Sequence, residues 1–185
     1  MGELQAVLFD MDGTLVETES LWHEAEVLTM AAFGSTWSED EQRFALGGPF
    51  GRVVEYMAQK AGADPTDVAV TLIDAIDQLM SSRPLPIQPG IAELKAEAEA
   101  AGIPTGLVTN SFRRLISIVL KSTGLHFDVT VAGDELAENK PHPLPYEFAC
   151  ESLGVDPAHT VVLEDSMTGI ASAAAAGCFV VAIPH

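Results

Sequence analysis

The sequence has 185 residues, the length of one domain or of one core with an insertion. Apolar residues make up 48% of the chain and charged residues 19%, a balance typical of a folded globular protein. The 27 acidic and 9 basic residues leave a formal charge of −18, so we expect no binding to nucleic acid or to an anionic membrane surface.

We expect this chain to have no signal peptide, no membrane span and no disulfide scaffold. The amino terminus lacks the basic and apolar regions of a signal peptide, and no apolar stretch reaches the roughly 18 residues of a membrane span. We therefore expect a cytoplasmic protein, and a monomer. Cys150 and Cys178 are far apart and form no CxxC pair, so a disulfide scaffold or a cysteine zinc site is not expected.

Short apolar runs alternate with helical patterns in the first residues and in the second half of the chain. The runs are nearly continuous in apolar character, which is typical of parallel strands covered on both faces. This alternation predicts an α/β fold with a doubly wound parallel sheet. The predicted strands are Leu4–Phe9, Ile103–Val108, Val129–Ala132, Thr160–Leu163 and Phe179–Ile183, and the predicted helices between them are Ile91–Ala101, Ser111–Ser122, Leu144–Leu153 and Ser166–Ala176.

Residues 17–86 interrupt this alternation. They contain no convincing strand, and their apolar residues recur at helical spacing. We therefore predict an α/β core formed by residues 1–16 and 87–185, with residues 17–86 as a helical insertion that ends in a proline-rich hinge. The predicted helices of the insertion are Glu19–Phe33, Glu39–Ala45, Phe50–Ala61 and Thr66–Ser81.

Four carboxylates follow two of the predicted strands. Asp10 and Asp12 come after the first strand, and Glu164 and Asp165 come after the fourth. Because ligands bind beyond the carboxyl ends of the strands in an open parallel sheet, we expect these groups to meet at one edge. Carboxylates this close repel one another unless a cation binds, and a set of oxygen ligands without His or Cys favours Mg²⁺ over Zn²⁺.

Other polar groups are predicted at the same edge. Thr109, Asn110 and Ser111 follow the second strand, and Lys140 stands in a stiff segment after the third, where its ammonium could neutralise phosphate. Taken singly, each motif has a structural interpretation, as a turn, a helix cap or a solvated lysine. Their joint occurrence in this order favours a catalytic site.

The segment from Asp10 to Val16, DMDGTLV, resembles the first motif of the haloacid dehalogenase superfamily. Thr109, Lys140-Pro141 and Glu164-Asp165 are similar to its second, third and fourth motifs. The helical insertion resembles the cap of the subgroup that includes sugar phosphatases, phosphoglycolate phosphatase and β-phosphoglucomutase. The resemblance also implies a further strand and helix after the fifth strand. The sequence given ends before them, so it is either a shortened version of the chain or a minimal core, and an exposed sheet edge would reduce solubility.

The resemblance implies a role for each matching position. Asp10 would be the nucleophile that forms an aspartyl-phosphate, and Asp12 would be the general acid and base. Lys140 would orient Asp10 and offset charge, while Thr109 and Asn110 would hold the phosphate. Mg²⁺ would be bound by Asp10, Asp165 and the backbone carbonyl of Asp12, with Glu164 as a direct or indirect ligand.

The resemblance favours a phosphatase that hydrolyses a small phosphate monoester, and leaves a phosphomutase as the alternative. Asp12 argues for either of these over a dehalogenase. Mutases of the β-phosphoglucomutase type carry a His where this sequence has Trp22, with His23 one residue late. Candidate substrate contacts in the insertion are Trp22, His23 and Arg52, although each also has a structural interpretation. A receiver module and a non-catalytic binding protein are less favoured alternatives.

Overall fold

The structure, a computed structural model, describes residues 3–45 and 48–183. The chain forms two compact units. One combines Met1–Glu17 with Leu85–His185 and is called the sheet unit here. The other, Thr18–Pro84, is called the helical unit. Among the residues described, none of the helices combines the length and apolarity that crossing a membrane requires.

The sheet unit contains a five-stranded parallel sheet with the strand order β3-β2-β1-β4-β5. This confirms the predicted α/β fold, because at least one helix lies between each pair of consecutive parallel strands. The strands are β1 Ala6–Phe9, β2 Thr105–Val108, β3 Val129–Val131, β4 Thr160–Glu164 and β5 Phe179–Ala182.

Eight helices are described, and their bounds lie within two residues of the predicted ones. Those of the helical unit are α1 Glu19–Ala32, α2 Glu39–Ala45, α3 Phe50–Ala61 and α4 Pro65–Ser82. Those of the sheet unit are α5 Ile91–Ala100, α6 Arg113–Thr123, α7 Leu144–Leu153 and α8 Met167–Ala175, with a short 3₁₀ helix at Pro157–His159.

Strand bounds differ from the apolar runs in two informative places. The second run begins at Ile103, but the strand begins only at Thr105, because Pro104 has no N–H to donate to a ladder. The fourth strand extends one residue beyond the prediction, to Glu164, whose side chain is fully buried. The acidic residue is therefore part of the sheet and not of the loop that follows.

One core cluster of the sheet unit lies between the central strands and α7. Leu8, Val108 and Val162 come from three neighbouring strands and pack with Tyr146 and Cys150 of α7. The helix α7 has a proline in its first turn and ends before a glycine in the left-handed conformation, as the sequence predicts. The core thus fixes α7 against the strands whose ends carry the polar groups.

The helical unit contains a buried acid. Glu26 of α1 is only 5% exposed, and its Oε2 accepts a hydrogen bond of 2.8 Å from Nε1 of Trp37. Burial raises the pKa of the Glu26 carboxyl to about 7, although the bond from Trp37 lowers it. The folded protein therefore binds this proton more tightly than the unfolded chain does.

We predict that the pH dependence of stability contains a contribution from Glu26. The neutral acid stabilises the fold fully below its ordinary pKa of 4.5, and this stabilisation is lost as the pH rises through about 7. The loss amounts to about 3 kcal/mol of unfolding free energy. Urea unfolding at pH 5 and pH 8 will show a smaller drop in Glu26→Gln than in the wild type. Glu55→Gln, at an exposed position of α3, is the matched control. An equal drop in all three proteins would contradict the prediction.

Candidate active site

The predicted polar residues of the sheet unit meet at one edge of the sheet. Asp10 follows β1, Thr109 follows β2, and Glu164 and Asp165 stand at the end of β4. These strands are neighbours and parallel, so their carboxyl ends open on the same side. Side chains from three strands can therefore act on one ligand.

Lys140 lies at the centre of this group and is only 3% exposed. Its Nζ donates hydrogen bonds to Oδ1 of Asp10 at 2.6 Å, to Oε1 of Glu164 at 2.6 Å and to the carbonyl oxygen of Val108 at 2.8 Å. Burial alone would lower the pKa of this amine, but Asp10, Tyr146 and Glu164 raise it well above its ordinary value. Lys140 is therefore a buried ammonium with all three of its protons donated.

The backbone of Lys140 is positioned by Asn110. The Asn110 Nδ2 donates to the Lys140 carbonyl oxygen at 3.1 Å, and its Oδ1 accepts from the Lys140 N–H at 3.0 Å. This reciprocal pair joins the loop after β2 to the segment before α7. The sequence identified Asn110 only as a phosphate contact, so the role of its carboxamide is an addition from the structure.

Tyr146 is a member of the site that sequence reasoning missed. Its hydroxyl donates to Oε1 of Glu164 at 2.8 Å, and its ring centroid lies 4.9 Å from Nζ of Lys140. Burial raises the pKa of the phenol well above its ordinary value, so the hydroxyl stays protonated and remains a donor. The available signal was an aromatic hydroxyl on the buried face of a predicted helix, which needs a partner.

Glu164 receives donors on both carboxylate oxygens. Oε1 accepts from Lys140 and Tyr146, and Oε2 accepts from the N–H of Ser166 at 3.2 Å and from its hydroxyl at 3.0 Å. The α8 helix then passes close to the carboxylate at Gly169. A Cβ at Gly169 would lie 1.7 Å from Oε1 of Glu164, so only glycine fits there.

Three carboxylates form a cluster that could hold a metal ion. Asp10, Glu164 and Asp165 each present an oxygen, and these oxygens all lie within 4.8 Å of one another. Thr14 orients Asp165 through a bond of 3.1 Å from its Oγ1 to Oδ1. Burial raises the pKa of Asp10 well above its ordinary value, and Glu164 and Asp165 raise it further, whereas Lys140 lowers it. A hard divalent cation fits this oxygen donor set and would relieve the repulsion.

Asp12 lies in a different environment from that of Asp10. Its Oδ2 accepts a hydrogen bond of 2.6 Å from Oγ of Ser111 and a longer one of 3.4 Å from Oγ1 of Thr109. Its side chain is outside the carboxylate cluster, and the prediction assigned only its backbone carbonyl to the metal. The sequence predicts Ser111 among the polar groups at this edge, but its hydrogen bond to Asp12 is an addition from the structure.

The turn after β1 holds Asp12 at the sheet edge. Gly13 has a φ of 82°, a left-handed conformation that favours glycine and explains the Asp-Gly pair. Gln88 supports this turn, since its Nε2 donates to the Gly13 carbonyl oxygen at 2.9 Å. The segment from Asp10 to Thr14 can therefore be both a turn and part of the site, and this geometry is compatible with both interpretations.

The remaining candidates lie in the helical unit. Trp22 and His23 are half-buried on α1, and His23 Nδ1 is hydrogen-bonded to Oε1 of Gln42 at 2.7 Å. Arg52 of α3 is exposed, but its Nη2 donates to the carbonyl oxygen of Phe44 at 2.9 Å, and its guanidinium carbon lies 4.6 Å from the centroid of the Phe44 ring. Both His23 and Arg52 therefore have partners within their own unit.

Comparison with known proteins gives consistent matches. A family model described as haloacid dehalogenase-like hydrolase matches residues 4–177. Protein CbbY of Rhodobacter capsulatus is 36% identical over 98% of this chain and 86% of that protein. Hexitol phosphatase B of Escherichia coli K12 is 33% identical over 98% of this chain and 84% of that protein. A crystal structure of a CbbY mutant from Rhodobacter sphaeroides with xylulose-(1,5)bisphosphate superposes with a TM-score of 0.87 at 31% identity, covering 98% of this chain and 87% of that one.

We predict that Gly169→Ala destabilises the protein, because the added methyl group must displace the Glu164 carboxylate from its four donors. Overpacking of this kind costs about 1–3 kcal/mol of unfolding free energy. Gly51→Ala is the matched control for stability, because it lies in a helix and a Cβ there meets nothing within 4 Å. Urea unfolding will separate the two variants, and equal stability would contradict the steric argument.

Proposed function

Because this chain belongs to the haloacid dehalogenase-like hydrolases and is a phosphomonoester hydrolase, we propose that it removes phosphate from a small sugar phosphate with the help of Mg²⁺ and through an aspartyl-phosphate. The observation that carries this proposal is the buried Lys140 ammonium, which joins Asp10 and Glu164 beside a cluster of three carboxylates. The names of the relatives support the substrate class, since one is a hexitol phosphatase and another holds a sugar bisphosphate.

Asp10 is the proposed nucleophile. Lys140 holds its Oδ1 at 2.6 Å, which fixes the orientation of the carboxylate and keeps it ready for in-line attack on phosphorus. Attack forms the Asp10–phosphorus bond as the bond from phosphorus to the sugar oxygen breaks. Thr109 and the backbone of Asn110 hold the phosphate oxygens at the end of β2.

Asp12 is the proposed general acid and base. It gives a proton to the leaving sugar oxygen and then takes one from the water that attacks the aspartyl-phosphate, so the cycle ends with free phosphate and both acids restored. Ser111 fixes the position of this carboxylate through the bond of 2.6 Å. Asp10, Asp165 and the Asp12 backbone carbonyl would hold Mg²⁺, which supplies positive charge for phosphate binding, with Glu164 beside them.

The leaving group is recognised, in this proposal, by the helical unit. Residues 17–86 are the helical insertion in the core of residues 1–16 and 87–185, and they supply Trp22, His23 and Arg52 as candidate substrate contacts. Hydrolysis is favoured over phosphoryl isomerisation because Trp22 stands where the mutases have a His, and because the ring of His23 is engaged by Gln42.

We predict Mg²⁺-dependent phosphate release from a panel of sugar phosphates and p-nitrophenyl phosphate. Asp10→Asn will lower kcat by about 1,000-fold or more, because the nucleophile is removed. Excess EDTA will have a comparable effect, reversed by added Mg²⁺. Inorganic phosphate is measured colorimetrically.

The control for this experiment is Asp67→Asn, an isosteric change at an exposed position in the first turn of α4, which should retain wild-type turnover. Activity that survives Asp10→Asn or EDTA would contradict the mechanism. Interconversion of sugar phosphates that requires a hexose bisphosphate and releases no phosphate would identify a mutase instead.

We predict that Ser111→Ala lowers kcat about tenfold with little change in KM, because Asp12 loses its short hydrogen bond and its fixed orientation. The backbone N–H of residue 111, which donates to Oγ1 of Thr109, is retained in this variant. Ser117→Ala, which removes a hydroxyl from the exposed face of α6, is the matched control. Steady-state kinetics will measure kcat and KM of both variants. An unchanged kcat in Ser111→Ala would show that Ser111 has no role in the mechanism.

A further inference from the structure

The two cysteines, far apart in the sequence, lie side by side in the sheet unit. Cys150 of α7 is buried, and its Sγ lies 3.7 Å from Oγ1 of Thr160 at the start of β4. Val161 pairs with Phe179 in the parallel register of β4 and β5, so Thr160 and Cys178 are the preceding neighbours across these strands. Both cysteines therefore flank the same residue.

Cys178 also packs against the core cluster that contains Cys150. Interaction with the Cys178 side chain lowers the pKa of Cys150 to about 7, although burial raises it, and interaction with Cys150 raises the pKa of Cys178. One thiolate is thus favoured within the pair near neutral pH, and the thiolate is the reactive form of cysteine. Cys178 is half-buried, which gives a small oxidant a route to the pair.

We propose that Cys150 and Cys178 form a reversible disulfide under mild oxidation by a peroxide, and that this disulfide slows turnover at the active site. Peroxide converts one thiolate to a sulfenic acid, with cleavage of the O–O bond and loss of hydroxide. The second thiol attacks the sulfenic sulfur, the S–S bond forms and water leaves. A dithiol such as dithiothreitol restores both thiols by exchange.

The connection to the active site runs along α7. Tyr146 lies one helical turn before Cys150, and both are buried in the same core cluster. The Tyr146 hydroxyl holds Oε1 of Glu164, which in turn binds Nζ of Lys140. A covalent bond from Cys150 to the start of β5 pulls α7 toward the sheet and shifts this chain of contacts. This consequence rests on the proposed function.

The disulfide is tested on the intact protein with hydrogen peroxide as the oxidant. The expected result is loss of both titratable thiols under denaturing conditions and a mass decrease of about 2 Da in the monomer, reversed by dithiothreitol. The chain has only two cysteines, so an intramolecular bond is unambiguous once dimers are excluded on a non-reducing gel. Two thiols that persist, or disulfide-linked dimers alone, would overturn the proposal.

Regulation is tested by phosphate release before oxidation, after it and after reduction. We expect a several-fold, reversible fall of kcat in the wild type and none in Cys178→Ser or in Cys150→Ala. The six methionines also oxidise, but their mass gain of about 16 Da each is not reversed by dithiothreitol. An unchanged kcat in the oxidised wild type, or an equal loss in the variants, would overturn the regulatory role. The thiol count and the mass can be measured whether or not the protein is active. A protein without phosphatase activity would therefore contradict the proposed function, while these two measurements would still show whether the disulfide forms.

Discussion

The arrangement of the site depends on one buried ammonium between two buried carboxylates. Nζ of Lys140 lies 2.6 Å from Asp10 and 2.6 Å from Glu164, and none of the three side chains is more than 10% exposed. At an effective dielectric constant of about 20, a pair of unit charges 4 Å apart interacts by roughly 4 kcal/mol. Removing the ammonium would leave two carboxylates repelling each other without solvent. Lys140 therefore stabilises the convergence of the strand ends that carry Asp10 and Glu164.

Glu164 transmits this constraint to the rest of the sheet unit. Its four donors come from three parts of the chain, namely the segment before α7, α7 itself and the start of α8. Because both oxygens are already engaged, Glu164 is better suited to orienting its neighbours than to binding a cation through an oxygen of its own. In metal sites, groups that orient the direct ligands matter almost as much as the ligands themselves. In the proposed mechanism, Asp10 and Asp165 would then be the carboxylates that coordinate the cation directly.

The sequence predicted the sheet, its helices and the strand ends that carry the polar groups, because each depends on local patterns. Apolar runs, glycine caps and the convergence of parallel carboxyl ends need no knowledge of distant contacts. The roles of Tyr146, Ser111 and Gly169 could not be predicted in this way. Each depends on a close approach between segments distant in the sequence, such as α8 passing within reach of the Glu164 carboxylate. The neighbouring cysteines were missed for the same reason.

A strongly acidic protein is expected to repel phosphate, but the charges close to the site matter more than the net charge. At physiological ionic strength, exposed charges are screened beyond about 8 Å, so most of the formal charge of −18 has little influence at the sheet edge. What counts is the local cluster, in which the buried Asp10 and Glu164, the half-buried Asp165 and the Lys140 ammonium leave an excess of two negative charges when all are ionised. This excess repels phosphate in the absence of a cation, and a divalent ion cancels it. Lys140 contributes positive charge to this balance through its bonds to Asp10 and Glu164. In the proposed mechanism, binding of the substrate and of a divalent cation would therefore be coupled by the charge of these side chains.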